Sequence, residues 1–135
     1  MSLKVREASQ RILLADDDPV TRSLLSDVIQ QEGYTAISAR DGREAYRILQ
    51  ADADFSGAIF DMMMPNLDSL EVIRYMRTER RLMRIPVMVM TSQQDLKFTA
   101  ASFAAGASLF LPKPFTPVQF ERTLRILLNN RSVAA

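Results

Sequence analysis

The sequence predicts an α/β fold, a doubly wound parallel sheet of five strands, and three observations predict it. Short apolar runs alternate five times with stretches whose apolar residues recur every three or four positions. Two of those runs, 12–15 and 87–90, are apolar throughout, as strands covered on both faces are. Cap and stop residues fall at the junctions. Such strict alternation requires crossover connections, and these are right-handed and produce parallel pairing.

The first strand is expected at 12–15, and Pro19 suits the first turn of the helix after it, whose apolar face reads Val20, Leu24 and Val28. Gly33 stops that helix. A second strand at 35–39 leads to Asp41, an N-cap, and to a helix carrying Ala45, Ile48 and Leu49. The third strand, 58–60, precedes a helix with Leu70, Ile73 and Met76. After the fourth strand, 87–90, comes a weaker helical pattern of Phe98, Ala101 and Ala105, stopped by Gly106. A fifth strand at 108–111 and a helix with Val118, Leu124 and Leu128 close the domain. The domain is expected over 11–130, with 1–10 a disordered or cloning-derived N-terminus and 131–135 a C-terminal tail. No repeat, low-complexity tract or linker interrupts it.

At 135 residues the chain has room for one domain, and 47% hydrophobic with 24% charged residues is the balance of a soluble globular protein. Seventeen basic against sixteen acidic residues give a net charge of +1, which disfavours direct nucleic-acid binding. The chain has no cysteine and no histidine, so any metal must be held by oxygen. The first ten residues lack a signal-peptide core and no apolar run is long enough to span a membrane, so the expected compartment is the cytoplasm.

Ligands of open parallel sheets bind at the carboxyl ends of the strands. There the sequence puts Asp16, Asp17 and Asp18 after strand one, Asp61 at the end of strand three, Thr91 and Ser92 after strand four, and Lys113 after strand five. Strand two offers only Arg40 and Asp41. Several carboxylates in one crevice repel each other unless a cation neutralises them, and with oxygen donors alone that cation is a hard one, magnesium or manganese. A lysine and a hydroxyl opposite it complete a phosphoryl site. An aspartate facing that site can be the nucleophile and form an aspartyl phosphate.

Taken together, Ala15-Asp16-Asp17-Asp18-Pro19, Phe60-Asp61-Met62-Met63-Met64-Pro65, Thr91 and Lys113-Pro114-Phe115 resemble the receiver domain of bacterial two-component response regulators. The separations of 45 residues from Asp16 to Asp61, 30 on to Thr91 and 22 on to Lys113 resemble the family too, and the likeness covers Arg11 to about Leu128. Each motif alone is weak; four in order are strong. The resemblance implies a CheY-like, flavodoxin-like (βα)5 sheet in the order 2-1-3-4-5. It implies that Asp61 is the phosphoacceptor, that Asp17 and Asp61 ligate the cation directly, that Asp16 helps through water, and that the Met63 backbone carbonyl is a further ligand. Thr91 and Lys113 would bind the phosphoryl group, Thr91 and Phe110 would form the switch, and the Lys113–Pro114 peptide would be cis. The implied partners are a histidine kinase or histidine phosphotransfer protein, and a downstream protein or fused output domain on the face of helix four, strand five and helix five. A homodimer on phosphorylation is a further implied state. The chain would be a signalling switch that catalyses only its own phosphorylation and dephosphorylation. It departs from the common pattern at Ser69, where many members have glycine, and at the bulky Met62 and Met63.

Taken singly, each feature has a plainer explanation. The aspartates at 16–18 could simply complement a helix dipole, and Asp18 is assigned mainly as a cap. The methionines read first as adaptable packing, and Phe110 as core. Arg74, Arg77, Arg80, Arg81 and Arg84 read as a solvated helix face and its exit. The alternative function is a haloacid dehalogenase-like small phosphohydrolase with its nucleophile in the stretch 16–18, against which Pro19 and the missing cap domain speak. A flavodoxin-like flavin binder is disfavoured because the acidic first loop would repel an anionic cofactor.

Overall fold

Strand β1 (Arg11–Ala15) leads into helix α1 (Pro19–Gln31). The alternation continues through β2 (Thr35–Ala39), α2 (Gly42–Ala51), β3 (Gly57–Asp61), α3 (Ser69–Thr78) and β4 (Val87–Ser92). It ends with α4 (Leu96–Ala105), β5 (Leu109–Lys113) and α5 (Pro117–Ala134). The computed structural model describes residues 10–62, 64, 68–92 and 96–134, with the backbone alone for Ser92, Leu96, Phe98 and 130–134. All five strands are parallel in the order β2-β1-β3-β4-β5, the expected doubly wound topology.

Because side chains alternate across a strand, each central strand feeds two separate cores. Leu13, Ala58, Phe60, Val87 and Val89 face α2, α3 and α4, where they meet Leu49, Val72, Ile73, Met76 and Ala105. Ile12, Leu14, Ile59, Met88 and Met90 face α1 and α5, where they meet Leu25, Ile29, Phe120, Leu124 and Leu127. Burial on both faces explains the continuous apolar runs.

The expected junction residues do what their chemistry allows. Asp18 caps α1 through the Thr21 N–H, Asp41 caps α2 through the Glu44 N–H, and Gly33 and Gly106 adopt positive φ of 89° and 119° beyond α1 and α4.

Three expectations need correction. On α1 the buried residues are Leu25 and Ile29, whereas Val20 and Leu24 are 66% and 57% exposed. Both series repeat every four positions, so periodicity alone does not choose between them; the fit against β1 does. Val118 of α5 is likewise exposed, and Phe120, Leu124 and Leu127 form its buried stripe. Arg77 is not a solvated residue. Its guanidinium donates twice to the Gly106 carbonyl (2.8 and 3.1 Å) and once each to the carbonyls of Met83 (3.0 Å) and Ile85 (2.9 Å). Burial lowers its pKa accordingly.

At the chain ends, α5 runs to Ala134, past the boundary drawn at 130, and the Gln10 carbonyl already accepts from the Thr35 N–H at 2.7 Å; residues 1–9 lie outside the described part. No helix among the described residues is long and apolar enough to cross a membrane.

Candidate functional site

Parallel pairing aligns the carboxyl ends of the strands on one rim. Ala15 pairs with Phe60, Asp61 with Met90 and Ser92 with Lys113, so residues 16, 61, 91 and 113 leave the sheet together. The alternation that points Ile12 and Leu14 toward α1 and α5 continues into Asp16, and likewise from Ile59 into Asp61 and from Leu111 into Lys113. Thr91 carries the opposite phase, that of Val87 and Val89.

The carboxylates of Asp16, Asp17 and Asp61 each bring an oxygen within 4.8 Å of the others. Asp16 and Asp61 are buried and Asp17 is exposed. The Lys113 ammonium donates to Asp61 Oδ1 at 2.9 Å, closing the site from β5, and the following Lys113–Pro114 peptide is cis. Thr91 is buried at the end of β4.

Asp16 is held by its backbone and only half satisfied by its side chain. Its N–H donates to the Ala39 carbonyl and its carbonyl accepts from Arg22 (2.7 Å), while Oδ1 accepts from the Asp18 N–H (2.9 Å). Among the described residues, Oδ2 is buried and finds no hydrogen-bond partner. Burial pushes the Asp16 carboxyl up from 3.8 to about 6; the Asp18 N–H opposes this, the charges of Asp61 and Asp17 add to it, and Lys113 subtracts. A buried acceptor with an unused oxygen beside two more carboxylates is a donor set that a hard cation satisfies.

Of the other expected residues, Met63 lies outside the described part, so its carbonyl is not placed. Phe110 is half-buried against the core beneath α4, its ring edge-on to exposed Phe103 at 5.6 Å between centroids. Ser69, noted in the sequence only as a departure, enters the site: it is buried and its hydroxyl donates to the Asp61 carbonyl at 2.8 Å. A hydroxyl at a first helical position whose cap is already an aspartate was the available signal.

Fold and rim together define a class: doubly wound parallel domains that gather an acidic triad and a lysine at the carboxyl edge of the sheet. A sequence profile described as the response regulator receiver domain matches residues 12–125, and the chain belongs to that family, the receiver domains of two-component response regulators. The chain is 36% identical over 118 residues to response regulator MprA of Mycolicibacterium vanbaalenii, an overlap of 87% of this chain and 50% of that protein. It thus spans about half the length of the curated relatives it matches. Among solved structures it superimposes on the chemotaxis response regulator CheY4 of Vibrio cholerae with a TM-score of 0.82 at 29% identity, covering 89% of this chain and 99% of that one. The receiver domain of sensor histidine kinase PA1611 from Pseudomonas aeruginosa PAO1, solved with magnesium coordinated in its active site cleft, gives 0.79 at 25% identity, covering 90% and 99%. Family membership leaves the phosphohydrolase alternative without support.

Proposed function

We propose that the chain is a phosphoacceptor switch in which Asp61 takes a phosphoryl group from the phosphohistidine of a histidine kinase or histidine phosphotransfer protein. The observation that carries this is the Asp61 carboxylate itself, buried at the tip of β3, paired with Lys113 at 2.9 Å and clustered with Asp16 and Asp17. Asp16, Asp17 and Asp61 would hold magnesium or manganese, with the Met63 carbonyl as the further ligand that the family resemblance implies, and the cation would supply positive charge to the carboxylates and to the phosphoryl oxygens.

An Asp61 carboxylate oxygen forms the new O–P bond while the donor N–P bond breaks, its electron pair staying on the departing imidazole. Lys113 then pairs with a phosphoryl oxygen and the Thr91 hydroxyl donates to another. Water later cleaves the acyl phosphate and restores the carboxylate, so the chain acts only on itself. With Thr91 drawn toward the new charge, Phe110 turns into the space it leaves, and the α4–β5–α5 face changes for a downstream partner or fused output domain.

Incubation with acetyl phosphate and magnesium is expected to add the mass of one phosphoryl group to the intact chain, with none added to Asp61→Asn and little when magnesium is chelated. Equal labelling of Asp61→Asn would overturn the assignment.

A further inference from the structure

We infer that Ser69 is a positioning residue for phosphoryl acceptance in this chain, its hydroxyl fixing the peptide from which the acceptor side chain hangs. The inference deepens the reading of Asp61 as acceptor and rests on it. Ser69 opens α3, yet it is not the cap: the Asp68 carboxylate takes the Leu70 N–H at 2.9 Å, and the Asp68 carbonyl takes the N–H groups of Glu71 and Val72. The apolar seat of the helix is made by other residues, Leu70, Val72, Ile73 and Met76, which are buried alongside Ser69. What the hydroxyl does is reach back eight residues and donate to the Asp61 carbonyl at 2.8 Å, in a position only 1% exposed.

That carbonyl belongs to the peptide whose N–H, on Met62, donates to Met90 at 3.1 Å. The peptide plane between Asp61 and Met62 is therefore held from both sides, by β4 through its N–H and by α3 through its oxygen. Fixing that plane fixes ψ of Asp61 and, with β3 holding φ, the direction in which its carboxylate leaves the backbone. The carboxylate must meet Lys113 and the attacking line to phosphorus at once, and displacements of about 1 Å at a reacting atom cost up to about a hundredfold in rate. A buried hydroxyl spent on one carbonyl is thus a device for orientation.

The test measures phosphoryl uptake from acetyl phosphate with magnesium across donor concentrations, in the native chain and in Ser69→Ala, Ser69→Gly and Ser69→Thr, with melting temperatures taken alongside. Glycine supplies a second hydroxyl-free chain, should alanine perturb folding. Removal of the hydroxyl is expected to lower the saturated rate about tenfold with the half-saturating donor concentration unchanged, whereas Ser69→Thr, which keeps the donor, stays within about twofold. Exchange of the Met62 amide hydrogen should also accelerate in the hydroxyl-free chains, since the peptide is freed on one side. A lower melting temperature with a native saturated rate in Ser69→Ala or Ser69→Gly would show that the hydroxyl serves stability alone and overturn the inference. Failure of the native chain to be labelled, or labelling that survives Asp61→Asn, overturns the acceptor reading and this one with it. Labelling confined to Asp61 but undiminished without the hydroxyl overturns this one alone.

Discussion

Asp16 shows how one residue can be costly to the fold and useful to the site. Its carboxylate is buried against two other acids, with one oxygen unpaired among the described residues. Titrating at about 6 in the fold against an ordinary 3.8, it binds its proton more tightly when folded. The native chain therefore loses stability as pH rises from about 4 to about 6, and the loss is complete above that window. Asp16→Asn, which keeps the shape without the charge, should be more stable than the native chain in chelator at pH 7, by up to about 3 kcal/mol. The gap should close as pH falls toward 4. Magnesium should raise the native melting temperature more than that of the variant, narrowing the gap from the other side. A stability difference that ignores pH between 4 and 7 would mean that the Asp16 charge is not strained.

At the scale of elements, the α4–β5 junction is built around a single guanidinium. Arg77 of α3 holds the Gly106 carbonyl beyond the end of α4 and the carbonyls of Met83 and Ile85 ahead of β4, so three segments share one cation. Gly106 lets it approach: at φ 119° a Cβ there would lie 2.6 Å from Arg77 Cγ. Gly33, at φ 89°, has no heavy atom within 4 Å of where its Cβ would be. Alanine at either position meets the left-handed penalty of about 1 kcal/mol, but only at 106 must it also displace the arginine. Gly106→Ala is expected to cost at least about 2 kcal/mol more than Gly33→Ala in urea unfolding. Equal costs would show that the Arg77 clamp yields freely.

For the whole molecule, β5 links the two regions of the proposal, since it ends at the rim in Lys113 and carries Phe110 toward α4. Phe110 lies on β5 between the rim and α4, with Phe103 standing 65% exposed on α4 against it. Turning a switch from mostly off to mostly on takes about 5 kcal/mol of differential stabilisation, within reach of a few charge-assisted bonds to a phosphoryl group. If the α4–β5–α5 face is the readout, phosphorylation should shift the chain from monomer to dimer in sedimentation velocity. Phe103→Glu should block the shift while leaving phosphoryl uptake native. A phosphorylated chain that sediments as a monomer would assign the face to other partners.

The order of elements, the parallel sheet and the residues of the rim were all legible in the amino-acid order. Those follow from local rules: period, caps, and the parallel pairing that brings Asp16, just after β1, to the same edge as Asp61 ending β3 and Lys113 ending β5. The amino-acid order did not determine which of two apolar stripes α1 would bury, since Val20-Leu24-Val28 and Leu25-Ile29 have the same spacing. Nor could it tell Arg77 from Arg74 or Arg84, because charge type is local information and the three carbonyls that receive Arg77 come from segments up to 29 residues away. Ser69 is the same case. Only the packing of α3 against the tip of β3 brings its hydroxyl to the Asp61 carbonyl, because hydrogen-bond partners distant in sequence are set by how elements stack, not by the residues themselves.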